Sequence, residues 1–395
     1  MENLEEKLAV MFKERISEWK MSQIGQKSGY EYERSFAKMM REIEEEVFKE
    51  LTSTEITNKN KKKTVMTSFG KLNVEKEHCL TFTNTPFSAS AYLQELSCFT
   101  GSQLVFEDAS RMLEFISRIK ISSKQIERIC HYQGEQIEKT IKEKVQTGAD
   151  KIYPDNEGLY YVMMDGSMYL TREEKWKEIK LGRIFKASDN FEISKNRGLV
   201  TKSEYVCHLG EHTDFLDKLG VYTESLKNPI FINDGARWIW NWVETYYPGS
   251  VQILDFYHAK EHLCQFAAEY FQNKDERKDW VEEKCEQLLD DKIEMVIDGL
   301  KKLPDKNKKI SELKISLINY YQTNLKRMKY KTFIDKNLRI GSGAIEAAHR
   351  DILQQRLKLS GQRWTKKGIQ EIANLRILYK SNKLDNQRNL LNHAA

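Results

Sequence analysis

The sequence predicts an α/β core, broken by an all-helical insertion and preceded by a mainly helical region with a small β-hairpin. Two observations lead to the core. Short apolar runs at Leu159–Met164, Pro229–Asn233 and Val251–Leu254 are each followed by an aspartate, Asp165, Asp234 and Asp255. Apolar runs bounded by turn residues read as strands buried on both faces under helices. A third observation leads to the insertion. From Ala259 to about Asn324 the chain is charged and helical in pattern, separating the last run from Ile340–Glu346.

Composition sets the frame. The 395 residues exceed one typical domain, so two or three units are expected. An apolar share of 40% suffices for a sizeable core, and 31% charged residues suit a surface-rich helical protein. No apolar run approaches about 18 residues, so no membrane span is expected. The start, Met1–Lys7, is acidic and helical rather than a secretory signal, and the expected location is the cytoplasm, at the nucleoid. The six cysteines are dispersed, without a Cys-x-x-Cys pair. They read as reduced, mostly buried thiols.

Charge is uneven. Residues 326–380 carry fourteen Lys and Arg against four acids, whereas the whole chain is only +5. Such a concentration points to a polyanion; a solvated helical surface is the alternative.

The elements follow in order. Residues 1–63 form a helical region, because Leu8, Met11, Phe12, Ile16 and Trp19 recur at helical spacing; Asn58–Lys63 is a polar break. Residues 64–150 begin with a hairpin at Thr64–Thr83, rich in Thr, Val and Phe around Gly70-Lys71. Helices follow from 88 to 146. Ser122 or Ser123 can cap a helix that Gly134 would end, giving a helix-turn-helix outline for DNA binding; any helical hairpin reads the same way. Thr147–Asp150 marks a boundary. The α/β core is expected to comprise 151–258 and 339–380, with the insertion at 259–338 and a tail at 381–395.

Within the core the strands end at Asp165, fall at Lys175–Phe185 and Ser203–His208, and end at Asp234 and Asp255. Helices are expected at Asp214–Ser225 and Ala236–Thr245. Three strands, helix, strand, helix, strand is the order of a ribonuclease H-like fold, in which the first strand is central and the fourth lies beside it.

Asp165, Asp234 and Glu346 are the candidate catalytic acids. Phosphoryl transfer on DNA needs anionic ligands for two divalent cations about 3.5–4 Å apart, one activating the nucleophile and one stabilising the leaving oxygen. Mg²⁺ prefers carboxylate oxygens and retained waters, and Mn²⁺ is a possible substitute. Asp165 and Asp234 also fit a turn-forming Asp-Gly pair after a strand. On a helix from Ser342, residues 346, 349, 350, 353 and 357 share a side. Leu353 and Leu357 make that the sheet side, where a lone carboxylate would carry a large desolvation penalty. The alternative for Glu346 is an exposed acid favoured by the helix dipole.

The segments Met164–Met168, Asn233–Trp240, Leu254–Leu263 and Gly341–Glu346, with Arg356 and Gly361–Trp364, resemble those of bacterial insertion-sequence DDE transposases of the Kra type. The resemblance covers about 150–370. It implies that Asp165, Asp234 and Glu346 catalyse and hold Mg²⁺, and that Asp255-Phe256-Tyr257-His258 is similar to an acid-x-x-His motif before the insertion. Asp255 and His258 would then orient a metal ligand or the scissile phosphate; a hydrogen bond anchoring the insertion is the competing role. His258 and His262 without a third ligand are a poor case for zinc. Only Cys79 stands in the Thr64–Thr83 stretch, where related transposases often carry Cys-x-x-Cys pairs.

The resulting expectation is a DNA transposase that hydrolyses phosphodiesters at the element's inverted repeats and joins the freed 3′-hydroxyl to target DNA. Arg350, Arg356, Lys358, Arg363, Lys366 and Lys367 are candidate phosphate contacts. Trp364 either stacks on a base or packs. A homodimer or higher oligomer on double-stranded DNA is expected, with no membrane partner. The alternatives are an inactive or domesticated relative that binds DNA, and a ribonuclease H-like nuclease without strand transfer.

Overall fold

The computed structural model describes residues 4–26, 28–52, 62–148, 158–194 and 197–391. Asn58–Lys61 of the expected polar break and Ala149–Asp150 of the expected boundary lie outside them. The chain divides into two compact units, 1–133 with 384–395, and 134–383.

The first unit opens with an antiparallel helical pair, α1 (Leu4–Ser22) and α2 (Gly29–Thr52). Trp19 Nε1 donates to Ser35 Oγ at 3.0 Å near the turn, and Arg15 pairs with Glu46 further along. Strands β1 (Lys62–Thr67) and β2 (Gly70–Glu75) form the expected hairpin. Gly70 takes φ +103°, open to glycine without strain. Val65, Leu72 and Val74 bury its inner face against Phe48 and Leu80. Helices α3 (Ala91–Gln103) and α4 (Phe106–Ser117) follow, α3 capped by Ser90 Oγ and α4 ended by Arg118 in the left-handed region.

Helix α5 (Ser123–Thr147) corrects the expected turn at Gly134: it runs unbroken through that residue. The glycine serves close packing instead. A Cβ at 134 would fall 2.3 Å from the main-chain oxygen of Glu371. The helix-turn-helix read across Gly134 is therefore one helix; the actual turn, residues 118–122, joins α4 to α5.

The second unit is mixed α/β. Its sheet contains β3 (Tyr160–Thr171), β4 (Lys175–Lys186), β7 (Glu204–Leu209), β8 (Ile230–Asn233) and β9 (Val251–Leu254), in the order β7-β4-β3-β8-β9. The long β3 is central. It pairs antiparallel with β4 and parallel with β8. A separate hairpin, β5 (Asn190–Ser194) with β6 (Arg197–Val200), interrupts the meander; its short runs carried no signal read from the sequence.

Helices cover both faces. α6 (His212–Thr223) brings Phe215 and Leu219 over Gly182 on one face, and α7 (Arg237–Tyr246) joins the same core through Ile239, Trp240 and Val243. The insertion follows β9 as α8 (Phe256–Tyr270), α9 (Lys274–Leu289), α10 (Ile293–Lys302), α11 (Lys308–Asn324) and α12 (Tyr330–Asp335). On the opposite sheet face lie α13 (Gly343–Ala348), a π-helical turn at His349–Gln354, the short α14 (Gln355–Leu357) and α15 (Lys366–Lys380). Arg183 Nη1 donates to Ala344 O at 2.7 Å, and Gln370 Oε1 accepts from Leu209 N at 2.8 Å, tying these helices to β4 and β7.

Two strand ends differ from expectation. β3 continues six residues past Asp165, so Asp165-Gly166 is not a turn. Gly166 lies within the ladder, where a Cβ would meet the Glu178 carboxylate at 2.1 Å. Asp255 is the N-cap of α8 rather than a strand residue.

Candidate functional site

The parallel pair β3–β8 ends early. Its ladder covers only Tyr161↔Ile230 and Val162↔Phe231. Beyond it Asn233, fully buried, accepts a hydrogen bond from Met164 N through Oδ1 at 2.6 Å. This clamp fixes β3 to the end of β8, beside Asp165 within β3 and just before Asp234 leaves β8.

Asp234 is held by the start of α7. Its Oδ1 accepts from Ala236 N at 3.0 Å, and its main-chain oxygen accepts from Trp240 Nε1 at 2.7 Å. Gly235 is needed beside it, because a Cβ there would fall 2.2 Å from the Tyr320 ring of α11. The insertion thus reaches the end of β8. The Tyr320 hydroxyl is buried without a hydrogen-bond partner. His262 packs against that ring at a tilt of 50°, centroids 4.5 Å apart, and the His258 ring centroid lies 5.7 Å from that of His262.

Burial is the main cause that raises the Asp234 carboxyl pKa; the Ala236 amide and His258 oppose it, and the Asp165 and Asp255 carboxylates raise it further. Carboxylates on adjacent strands therefore feel one another. Among the described residues no lysine or arginine forms an ion pair with Asp165, Asp234 or Glu346. A half-buried carboxylate beside two others, with no fixed cation, is a donor set that a hard divalent cation satisfies. The residues at Asp165 and Asp234 fit Mg²⁺ chemically. No group of three or more His, Cys, Asp or Glu is gathered at ligand spacing among the described residues.

Glu346 lies on α13, which packs on β3 and β4. Its side chain is exposed, which corrects the expected helix face. Ile345, Ala348, His349, Ile352 and Leu353 take the buried side. The larger apolar surface of Ile345 and Ile352 outweighs that of alanine and glutamate, and the π turn shifts the residues that follow. Asp165 and Asp234 are brought together; Glu346 is on the neighbouring helix, facing solvent.

Asp255 has become a structural link. Oδ1 accepts from His258 N at 2.9 Å, capping α8, and Oδ2 accepts from Ser342 N at 2.5 Å and from the Ser342 hydroxyl. His349 was missed by sequence reasoning as a site residue. It lies at i+3 from Glu346, the signal that was available. Its Nε2 is 3.1 Å from Asp165 O and 3.6 Å from Asp165 Oδ2, and its Nδ1 is 3.1 Å from Ser167 Oγ. Burial holds its pKa below the usual imidazole value.

The basic candidates divide. Arg350, Lys358, Arg363 and Lys367 are exposed, with Lys358 Nζ 4.6 Å from the Tyr169 ring centroid. Lys366 pairs with Glu174, and Lys367 with Glu135 at 3.1 Å. Arg356 is 1% exposed, its guanidinium 4.9 Å from the Trp364 ring centroid. It is a core residue here rather than an open phosphate contact, and Trp364 packs beneath it.

Residues 97–390 match the family described as an uncharacterised protein family, UPF0236. No curated protein matches.

Proposed function

We propose that this chain, which belongs to the UPF0236 family, is a DNA transposase whose core is of the ribonuclease H-like kind. The observation that carries the reading is the approach of Asp165 and Asp234 where Asn233 clamps the end of β8 to β3. Strand order supports it: β3 is central, with β8 parallel beside it. So does the position of Glu346 on a helix packed against β3 and β4.

In this reading Asp165 and Asp234 hold Mg²⁺ or Mn²⁺, and Glu346 completes the set by turning a solvent-facing side chain toward them. Held there, such cations would supply the activation of a water or 3′-hydroxyl and the stabilisation of the leaving oxygen. The chain's own residues set the geometry. Asn233 fixes the spacing of the strands, Ala236 N holds one Asp234 oxygen, and Arg350, Lys358 and Arg363 offer charge to the phosphate backbone.

Nicking of supercoiled plasmid carrying the element's ends tests this reading. Wild type with Mg²⁺ nicks and joins strands; Asp234→Asn binds the same DNA and does not cut. Binding without cutting by wild type would instead make the chain a DNA-binding relative. Cutting without joining would make it a nuclease.

A further inference from the structure

We infer that His349 is the positioning residue that orients Asp165 for the cation, an inference that rests on the metal-site reading above. The main-chain oxygen of Asp165 lies within the β3–β4 ladder, in the pair with Leu181. A carbonyl oxygen carries two lone pairs and can accept a second hydrogen bond. His349 approaches it from outside the sheet, with Nε2 3.1 Å away.

The tautomer follows from the first contact. His349 is 2% exposed, and the Asp165 main-chain oxygen can only accept, so Nε2 carries a proton. The Ser167 hydroxyl lies 3.1 Å from Nδ1. Nε2–H then donates to Asp165 O. Ser167 and Asp165 lie two apart on β3 and point to the same face, so one imidazole fastens both positions. The Asp165 carboxylate, with Oδ2 3.6 Å from Nε2 and Oδ1 accepting from Gly166 N at 2.7 Å, is held at its base while keeping oxygen lone pairs for a metal.

The π-helical turn explains how a buried histidine comes to lie there. The turn starts at His349 and ends at Gln354. An extra residue per turn disrupts the regular pattern and exposes carbonyls, and such turns collect at functional sites. Here Arg376 of α15, itself buried, donates to the main-chain oxygens of Ile352 and, at 2.6 Å, of Asp351. The irregular turn is thus held by a dedicated cation. Partners that orient a metal ligand from outside its coordination sphere change metal affinity by about 10–100-fold when removed.

The test is Mn²⁺ titration of the full chain by electron paramagnetic resonance, run beside plasmid nicking and thermal melting. His349→Phe keeps the ring and removes both nitrogens. It is expected to weaken Mn²⁺ binding about tenfold and slow nicking while leaving DNA affinity unchanged. His349→Gln, whose amide can donate where Nε2 did, is expected to recover part of the loss. Equal loss in both variants with intact melting overturns the hydrogen-bond account. Unchanged Mn²⁺ affinity in His349→Phe overturns the role of His349 and leaves the metal site standing. A wild type that binds no Mn²⁺ overturns the metal site itself. If His349→Phe fails to fold, Ser167→Ala carries the test: a several-fold loss of Mn²⁺ affinity supports the role, and no loss overturns it.

Discussion

Asp255 and Ser342 flank the helical insertion and share one hydrogen-bonded carboxylate. Oδ1 of Asp255 caps the helix that enters the insertion, and Oδ2 binds the backbone and hydroxyl of the residue at its exit. The helical excursion is therefore closed at its neck, and α13 starts from a fixed point. Ser342→Ala removes one buried hydrogen bond and should cost about 1 kcal/mol. Asp255→Ala removes all of them and the cap together, and should cost more, about 2–4 kcal/mol. Thermal melting of the two variants checks the order; equal melting points would mean that the carboxylate holds nothing.

Gly134→Ala sets two effects against each other. Alanine favours a helix over glycine by about 1 kcal/mol. The new Cβ, 2.3 Å from Glu371 O, meets backbone that cannot swing aside, and overpacking of this kind costs about 1–3 kcal/mol. The clash wins, so the melting temperature should fall. A rise would mean that α5 and α15 separate freely at this point.

His208 gives a pH dependence. Burial, and then the Lys218 ammonium 3.2 Å from Nδ1, push its pKa down to about 4, against the pull of Asp214 and Glu138. The unfolded chain titrates near 6.5. Between these values the unfolded state binds the proton and the folded state does not, so stability is full above about pH 6.5 and falls as pH drops toward 4. The loss is about 3 kcal/mol at most. Urea melts from pH 7.5 to 4.5 should show this fall, and His208→Gln should flatten it.

Arg350, Lys358 and Arg363 should each behave as phosphate contacts. Alanine at any one should weaken DNA binding alike across sequences and lower the slope of log affinity against log salt by about 1. Arg356→Ala should differ in kind. It empties a buried site against Trp364 and should lower the melting temperature. Fluorescence anisotropy across salt concentrations, with melting curves, separates the two behaviours.

Much of the second unit could be read from sequence because its strands are short apolar runs with an acid or glycine after them. That pattern located β8 and β9 and their aspartates. It failed at Asp165, where Asp-Gly suggests a turn. The ladder with β4 continues because Gly166 makes room for Glu178. It failed again at Gly134, whose reason for being glycine is a neighbour 237 positions later. The face of Glu346 was misread because heptad-like spacing assumes an unbroken α-helix, whereas Ile345 and Ile352 outcompete it for burial and a π turn follows. His349 and Tyr320 went unseen for one reason. Each acts on residues distant in sequence, and neither spacing nor charge records such a contact.

Anomalous diffraction from crystals of the full chain soaked in Mn²⁺ tests the central claim most directly. The account predicts a peak about 2.0–2.3 Å from carboxylate oxygens of both Asp165 and Asp234, with the Glu346 side chain turned toward it and the peak lost in Asp234→Asn. Manganese bound elsewhere, or a peak that Asp234→Asn leaves in place, would contradict it.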